Sequence, residues 1–478
     1  MADLSVRFAG IYSPNPFWLA SGPPTNSGDQ VKRAFDLGWG GAVWKTVGEP
    51  IINVCSRYSS VDYGSHRMMG LNNIELISDR PIADNLREIA EVKKLYPRHA
   101  VIVSLMVESK REAWHDIVRR TEDTGADGLE LNFGCPHGMS ERGMGAAVGQ
   151  VPEYTTQIVE WVKEVARTPV IVKLTPNVTD VRYPGRAAVR GGADGLSLIN
   201  TINSITGIDL DDFTPRPKVG GRSSHGGYCG PAVKPIALNM VAQIAGDDAC
   251  RVPLSGIGGI STWRDAAEFI ALGCVTVQVC TAAMHYGFRI VEDLADGLAN
   301  WMDERGFKRI EDFRGKALPR VSDWGDLDLN YKTVAQIDEK LCIGCQLCYV
   351  ACQDTAHQCI YVGEASGASE GDSAAAEARA ADGARRALGI AASAGHAPTW
   401  VPEPFQVRGE PIHTLVSGHG LLGDEAREVR VPWVKQDDCV GCNLCMLVCP
   451  VPDCITMVEQ DTGKPPMSWN QFQRQARD

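Results

Sequence analysis

The sequence predicts an α/β protein in which a (β/α)8 TIM barrel precedes a smaller, cysteine-rich domain. Two observations support this prediction. Eight short apolar runs alternate with amphipathic segments between residues 17 and 280, and two copies of one four-cysteine spacing follow residue 340. A chain of 478 residues is also longer than one average domain.

The apolar runs have the length of strands, and they are continuous rather than alternating. Continuous apolar strands are typical of a parallel sheet that is covered on both faces. Eight such strands with helices between them favour a closed barrel over a doubly wound open sheet. The runs are FWLAS (17–21), AVWKT (42–46), VIVSL (101–105), GLELNF (128–133), VIVKL (170–174), GLSLIN (195–200), VPLSG (252–256) and VTVQV (275–279).

The domain boundaries follow changes in composition. An alanine-, glycine- and serine-rich tract at residues 364–397 has little apolar bulk to bury, so we expect a surface insertion there. The predicted organisation is a barrel at 1–312, a linker at 313–334, a cysteine-rich domain at 335–362 and 430–465, and an insertion at 363–429.

Composition and charge exclude several classes of partner. A net charge of -12 and a pI near 5.4 argue against nucleic acid and against an anionic membrane surface. The first twenty residues lack the pattern of a signal peptide, and no apolar stretch is long enough to cross a membrane. Sixteen cysteines without such a signal indicate thiolate ligands or reactive thiols. We therefore expect a cytoplasmic protein.

Two cysteine motifs, CIGCQLCYVAC and CVGCNLCMLVC, repeat the spacing C-x2-C-x2-C-x3-C. Three thiolates so spaced can hold one face of a [4Fe-4S] cluster, and in two-cluster ferredoxins the fourth cysteine ligates the other cluster. Zinc is the weaker alternative, because its sites usually use paired C-x2-C. The predicted ligands are Cys342, Cys345, Cys348 and Cys449 for cluster 1, and Cys439, Cys442, Cys445 and Cys352 for cluster 2.

The motifs depart from the bacterial ferredoxin pattern in two respects. Gln353 replaces the proline that usually follows the fourth cysteine, and a long insertion separates the two motifs. Loop-closure entropy grows only slowly with loop length, so the insertion does not prevent the halves from meeting. We interpret Cys359 and Cys454, which lie outside the spacing, as packing thiols.

Iron–sulfur clusters pass single electrons, and flavin is the usual cofactor that exchanges them for pairs. We therefore expect FMN at the carboxyl ends of the barrel strands, where barrels carry their chemistry. Gly258, Gly259, Cys280 and Thr281 follow the last two strands and are expected to bind its phosphate, Cys280 through the main chain. The other residues of this largely polar rim are Ala20, Ser21, Lys45, Thr46, Asn132, Cys135, Lys173, Asn200, Thr201 and Gly256. Lys173 is the candidate for the N1–O2 edge of the flavin, with Lys45 also in contact.

One further motif is interpreted as fortuitous. SGHGLLG, residues 417–423, matches G-x-G-x-x-G, but too few residues follow it to complete a βαβ unit. NAD(P)H is therefore expected to reduce a different polypeptide. Cys135 lies between Gly134 and Pro136 on a loop, and the residues alone leave it as a buried thiol, a disulfide partner, a metal ligand or a reactive group.

Four segments resemble the pyrimidine-reducing part of the dihydropyrimidine dehydrogenases, and in particular the PreA-type subunits of the NAD-dependent enzyme. The segments are NFGCPHGMSERGMGAAVGQ, GLNNIELIS, LSLINT and GGYCGPAVKPIAL. The resemblance runs from about residue 5 to residue 360 and resumes near residue 430. It implies an FMN barrel fused to a domain with two [4Fe-4S] clusters, and an oxidoreductase acting on a CH–CH bond, which reversibly reduces uracil and thymine to 5,6-dihydropyrimidines.

The resemblance also implies partners and residue roles. Electrons come from NAD(P)H through a PreT-type flavoprotein subunit that carries FAD, in a hetero-oligomer built on a homodimer. Hydride passes from FMN N5 to C6 of the pyrimidine, and Cys135 gives the proton to C5. A thiol with a pKa near 8.5 suits that role, since it is protonated at neutral pH yet acidic. The implied pyrimidine ligands are Asn73, Glu75, Asn132, Asn200 and Thr201, and the implied FMN ligands are Ala20, Ser21, Lys45, Lys173, Gly230 and the phosphate residues.

Two alternatives remain. A dihydroorotate dehydrogenase resembles this barrel, but its substrate carboxylate requires a cation that we do not find reserved for it. An inactive barrel serving as an electron-transfer scaffold is the other. The glycine-rich segment 220–233 suits either a mobile lid or a static loop, and His225 within it is interpreted as a surface residue. Cys55, Cys250 and Cys274 are interpreted as buried structural thiols.

Overall fold

The computed structural model describes residues 2–48, 54–63, 66–136, 143–362, 406–407, 410–411 and 431–475. The chain divides into two compact units, Met1–Val321 and Ser322–Asp478. The division falls inside the segment 313–334 that was predicted as a linker. Among the described helices, none has both the length and the apolar character needed to cross a bilayer.

The first unit is a closed barrel of eight parallel strands, as predicted. The strands succeed one another around the barrel in chain order, and every strand is completely buried because side chains fill the interior and helices cover the outside. Each predicted run overlaps one strand, and the sheet closes on itself, so the open sheet is excluded. The strands are β1 Phe17–Leu19, β2 Gly41–Val47, β3 Ala100–Leu105, β4 Gly128–Asn132, β5 Val170–Lys173, β6 Gly195–Leu198, β7 Leu254–Ile257 and β8 Thr276–Val279.

One principal helix follows each strand and packs an apolar face against the barrel. In the helix after β3, for example, Trp114, Ile117 and Val118 are buried while Arg119 and Arg120 are exposed. The helices are α1 Gly28–Asp36, α2 Ile82–Leu95, α3 Arg111–Glu122, α4 Pro152–Lys163, α5 Arg182–Arg190, α6 Lys234–Ala245, α7 Trp263–Ala271 and α8 Ile290–Arg305, with short helices at Ala146–Gly149 and Thr281–Tyr286. Single 3₁₀ turns are Pro23–Thr25, Pro231–Val233, Asp248–Cys250, Ile310–Asp312, Leu318–Arg320 and Trp324–Asp326.

Two small sheets accompany the barrel. Val6–Phe8 and Ile11–Ser13 form a hairpin before β1, and the Phe8 ring packs edge-on against Trp18 of β1 with centroids 5.6 Å apart. The other is an antiparallel four-stranded sheet in the order Ile202–Ser204, Gly226–Cys229, His66–Asn73 and Tyr58–Tyr63. Its strands come from the loops after β2 and β6, so the sheet lies at the carboxyl end of the barrel strands.

The second unit contains two similar halves, each with a cysteine motif, a short helix that begins within the motif, and a strand after it. The helices are Leu347–Thr355 and Leu444–Val448, and the strands that follow them are Ile360–Val362 and Ile455–Gln460. Ile360–Val362 pairs with Pro432–Val434, and Ile455–Gln460 pairs with Lys332–Ile337, both antiparallel. The remaining elements are the strands Gln406–Val407 and Glu410–Pro411 and the helix Trp469–Gln475. The tract 364–397 and the motif at 417–423 lie outside the described residues.

Candidate active site

A cavity opens at the carboxyl ends of the barrel strands. Its position is the one at which barrel enzymes carry their chemistry. The predicted residues that line it are Ala20, Ser21, Lys45, Thr46, Asn73, Glu75, Asn132, Cys135, Lys173, Asn200, Thr201, Gly230, Gly258, Gly259, Cys280 and Thr281. Gly256 is not among the lining residues; it lies inside β7, where a Cβ atom would fall 2.5 Å from the Phe269 ring.

Two asparagines at the ends of β4 and β6 form a fixed amide pair. Asn200 Nδ2 donates to Asn132 Oδ1 at 2.9 Å, and Asn132 Nδ2 donates to Thr46 Oγ1 at 3.0 Å. Backbone N–H groups fix the orientation of both amides, because Gly134 N donates to Asn132 Oδ1 and Thr201 N donates to Asn200 Oδ1. An amide nitrogen carries two hydrogens. Each asparagine therefore keeps one N–H donor for a ligand in the cavity.

Glu75 is held by three neighbouring side chains. Its Oε1 accepts from Lys45 Nζ at 2.5 Å and from Arg57 Nη1 at 2.9 Å, and its Oε2 accepts from the Tyr58 hydroxyl at 2.7 Å. Burial and this bond raise the pKa of Tyr58 well above its ordinary value. Tyr58 also lines the cavity. Sequence reasoning missed Arg57 and Tyr58, because a polar hairpin after β2 carries no signal that it folds back over the barrel.

Cys135 lies where a thiol can reach the cavity while being shielded from bulk water. Only 7% of the residue is exposed, and it packs in a small core with Ile77, Met106 and Met144. Its Sγ lies 3.8 Å from the carbonyl oxygen of Leu76. The residues that follow in its motif, 137–142, are outside the described part of the chain.

Below the cavity, a buried carboxylate faces Lys173. Glu130 of β4 is completely buried, and its Oε2 lies 3.7 Å from Lys173 Nζ. Its Oε1 accepts from Ser197 Oγ at 2.7 Å and from Gln278 Nε2 at 3.0 Å. Gln278 was not predicted, although a glutamine inside the apolar run VTVQV is a recognisable signal. Its Oε1 is buried without a hydrogen-bond partner in the structure, and the residue lines the cavity.

The glycine turn after β7 presents backbone atoms, rather than side chains, to the cavity. Gly258 and Gly259 have φ angles of +126° and +75°, a backbone conformation that favours glycine. A Cβ at Gly259 would fall 2.8 Å from the backbone nitrogen of Lys234. After the neighbouring strand β8, burial raises the pKa of the Cys280 thiol to about 12. Burial therefore favours the neutral thiol of Cys280 over the thiolate.

Three further predictions from the sequence have mixed outcomes. Cys250 and Cys274 are buried, as predicted, but Cys55 is exposed, so its interpretation as a core thiol was wrong. Cys55 lies in the polar segment that leads into the extra sheet rather than in a barrel element. His225 is exposed, as expected. The segment 220–233 is only partly loop, since Gly226–Cys229 is a strand of the four-stranded sheet.

The second unit contains two smaller cavities that are rich in cysteine. Among the described residues, no three His, Cys, Asp or Glu side chains converge to hold a single metal ion. The sulfur-bearing residues instead surround the two cavities. The first cavity is lined by Cys352, Cys359, Cys439, Cys442 and Cys445, and the second by Cys342, Cys345, Cys348, Cys449 and Cys454.

The comparisons with known proteins agree with one another. The dihydroorotate dehydrogenase family model matches residues 3–302. The NAD-dependent dihydropyrimidine dehydrogenase subunit PreA of Escherichia coli K12 is 42% identical over 358 residues, covering 74% of this chain and 87% of that protein. The chloroplastic dihydropyrimidine dehydrogenase (NADP(+)) of Arabidopsis thaliana is 45% identical over 337 residues, covering 68% of this chain and 79% of that protein.

More distant relatives share the barrel. The catalytic subunit of dihydroorotate dehydrogenase B (NAD(+)) of Pyrococcus horikoshii is 37% identical over 317 residues, covering 66% of this chain and 98% of that protein. A crystal structure of DHODH from Eimeria tenella in complex with ferulenol matches with a TM-score of 0.54 at 18% identity, covering 66% of this chain and 88% of that one. This last likeness concerns the fold alone. The chain belongs to the dihydropyrimidine/dihydroorotate dehydrogenase family of oxidoreductases.

Proposed function

We propose that this protein reduces uracil and thymine to their 5,6-dihydro forms, and catalyses the reverse reaction. The observation that carries the proposal is the pair Asn132 and Asn200, which presents two N–H donors beside Cys135 in one cavity. A pyrimidinedione has two carbonyl oxygens on its edge, and two amide donors match them without adding charge. Asn73, Glu75 and Thr201 complete the proposed pyrimidine site.

FMN fits the remainder of the cavity. The partnerless Gln278 Oε1 is a buried acceptor that an N–H group of a bound flavin would satisfy. Gly258 and Gly259, with Cys280 and Thr281, would hold the phosphate through their main chain. Ala20, Ser21, Lys45, Thr46, Lys173 and Gly230 would hold the ring system, and Lys173 would stabilise negative charge on it. When bound, FMN supplies the hydride that the pyrimidine C6 accepts.

Cys135 would act as the general acid. Hydride addition at C6 leaves negative charge on C5 and on the adjoining carbonyl group, so a proton must reach C5 from the opposite face of the ring. Cys135 is the candidate because its thiol lines the cavity and is shielded from bulk solvent. A serine hydroxyl is a much weaker acid than a thiol and could not replace it in this step.

Charge pairing in the cavity favours a neutral substrate over dihydroorotate. Among the described lining residues, the two lysines are paired, Lys45 with Glu75 and Lys173 with Glu130. Arg57 also points to Glu75. A substrate carboxylate would therefore lie near the Glu75 carboxylate, and the cations around it are already paired. Burying that charge would cost free energy, which a neutral ring avoids. A dihydroorotate dehydrogenase is the second candidate, since the family includes such enzymes.

We infer that the second unit is a ferredoxin-like domain with two [4Fe-4S] clusters. Cys342, Cys345, Cys348 and Cys449 line one cavity, and Cys439, Cys442, Cys445 and Cys352 line the other, which is the crossed arrangement of two-cluster ferredoxins. When bound, the clusters carry single electrons to the barrel. Since one relative is a PreA subunit, a PreT-type flavoprotein with FAD is the proposed donor, oxidising NAD(P)H in a hetero-oligomer built on a homodimer.

The location proposed for this enzyme is the cytoplasm. None of the sixteen cysteines forms a disulfide in the described part of the chain, which fits a reducing compartment.

Anaerobic purification followed by a chemically driven assay tests the proposal. We expect bound FMN, iron and acid-labile sulfide, and formation of dihydrouracil from uracil with dithionite as the electron source. A flavin-free chain would favour the inactive-scaffold alternative. A loaded chain that reduces orotate but not uracil would favour the dihydroorotate alternative.

A further inference from the structure

Each cysteine cavity of the second unit is lined by five cysteines, one more than a [4Fe-4S] cluster binds. The supernumerary residues are Cys359 in one cavity and Cys454 in the other. Neither belongs to the C-x2-C-x2-C-x3-C spacing, and both are nearly inaccessible, with exposures of 4% and 2%. An extra buried thiol occurs in both halves of the unit. Local packing in one half would not explain why the other half has it as well.

The two extra cysteines occupy equivalent positions. Cys359 immediately precedes the strand Ile360–Val362, and Cys454 immediately precedes the strand Ile455–Gln460. Each follows the last cysteine of its own motif, Cys352 or Cys449, by a few residues. The pseudo-symmetry of the unit therefore places one additional thiol at the same corner of each cavity.

Each extra thiol is in contact with two proposed ligands of the same cluster. Cys359 Sγ lies 3.6 Å from Cys352 Sγ, and its backbone N–H donates to that sulfur at 3.3 Å. It also interacts with the Cys439 thiol. Cys454 lines one cavity with Cys449 and Cys342 and is close enough to interact with both thiols. Its Sγ also lies 3.8 Å from the carbonyl oxygen of Asp338. Each extra thiol therefore lies near two ligands of one cluster. These are the fourth cysteine of its own motif and the first cysteine of the other motif.

We propose that Cys359 and Cys454 are not ligands but thiol donors that hydrogen-bond to ligand sulfurs and raise the reduction potential of their clusters. Reduction adds negative charge to a cluster, and a hydrogen bond to its sulfurs stabilises that charge. The rest of the second cavity wall is mostly apolar, with Ile337, Val451 and Ile455, and among the described lining residues Gln346 is its one amide. The first cavity adds His357 and Asn443 to a wall that is otherwise largely apolar. The inference rests on the proposed two-cluster function.

Redox titration of the full-length, cluster-loaded chain tests the inference. Cys359→Ala and Cys454→Ala should keep the iron and sulfide content of the parent, while the midpoint potential of one cluster in each variant, followed by EPR, becomes more negative. Cys359→Ser and Cys454→Ser retain an O–H donor and should restore much of the parent potential. Val334→Ala is the matched control, because Val334 is a buried core residue of this unit that lines neither cavity.

Each other outcome contradicts the inference in a different way. Loss of one cluster's iron in an alanine variant, with the serine variant also depleted, would make that cysteine a ligand. Full iron content with an unchanged midpoint potential in both alanine variants would show that the two residues only pack in the core. A parent chain that binds no iron would overturn the two-cluster function itself, whereas the first two results would leave that function intact.

Discussion

Asn200 Nδ2 lies 2.9 Å from Oδ1 of Asn132, and this bond joins the ends of β6 and β4 across the floor of the cavity. Both amide oxygens are occupied by donors from the protein, including the backbone N–H groups of Gly134 and Thr201. The pair therefore offers a ligand hydrogen-bond donors rather than acceptors. This polarity is what distinguishes a site for a carbonyl-bearing ring from one for an amine or a cation.

Replacing Asn200 by aspartate tests that polarity. Asn200→Asp removes the N–H donors and places a carboxylate beside Asn132 Oδ1, so kcat/KM for uracil should fall by ~100-fold. FMN content should stay near that of the parent. Asn203→Asp is the control, because Asn203 is exposed on the strand Ile202–Ser204 and does not line the cavity. Steady-state kinetics with uracil measure both variants, and equal effects would contradict the role of the amide pair.

Substitution of Cys135 separates turnover of the pyrimidine from reduction of the flavin. In Cys135→Ala, flavin reduction by dithionite should be unchanged, while the rate of dihydrouracil formation falls by ~10²–10⁴-fold, the usual contribution of a general acid. Cys135→Ser should be nearly as slow. Cys55→Ala, at an exposed cysteine outside the cavity, should have parental activity. Near-parental turnover of Cys135→Ala would remove the thiol from the mechanism.

Glu130 is expected to hold Lys173 in place. Glu130→Gln leaves the buried Lys173 ammonium without its counter-charge at 3.7 Å. Breaking a buried ion pair is costly, so the free energy of unfolding should fall by about 3 kcal/mol. FMN should also dissociate more readily in a fluorescence assay. Glu112→Gln, at an exposed position of α3, is the control. Parental FMN affinity and stability in Glu130→Gln would show that Lys173 is positioned by other contacts.

The pH dependence of stability is expected to include Glu122. Burial alone would raise the pKa of this carboxyl, but hydrogen bonds from Thr168 and Arg167 outweigh burial and lower it below the ordinary value of 4.5. A lowered pKa in the folded state gives stability that is present above pH 4.5 and is lost as the pH falls through the folded-state pKa.

The corresponding variant is Glu122→Gln. The difference in unfolding temperature between parent and variant should be largest near neutral pH and should shrink below about pH 4, where the parent carboxyl binds a proton. Glu164→Gln, which removes an exposed carboxylate paired with Arg111, should change little at either pH. Thermal unfolding followed by circular dichroism measures all three proteins. A constant difference from neutral to acid pH would contradict the assignment.

The barrel could be predicted from the sequence because its signals are local. Each strand is a short apolar run buried on both faces, and the polar residues at the strand ends converge once the runs are closed into a barrel. The extra sheet could not be predicted in this way. Segments such as Tyr58–Tyr63 and Gly226–Cys229 are polar or glycine-rich, and each becomes a strand by pairing with His66–Asn73.

The site residues divide in the same way, into those that the local sequence predicts and those that tertiary contacts bring to the cavity. Lys45, Asn132 and Lys173 stand at the ends of predicted strands, so their convergence was foreseeable. Tyr58 enters the cavity from the extra sheet, and Arg57 reaches Glu75 through a tertiary contact with no local signature. The crossed sets of cluster cysteines stay a prediction from spacing, which the two cysteine-lined cavities support.

A single-turnover experiment tests the central claim most directly. The purified chain, loaded with FMN and reduced under anaerobic conditions, is mixed with uracil or with orotate while the flavin absorbance is followed. We expect uracil to reoxidise the flavin and to yield dihydrouracil, and orotate to leave the flavin reduced. Rapid reoxidation by orotate, with no reaction on uracil, would contradict the account.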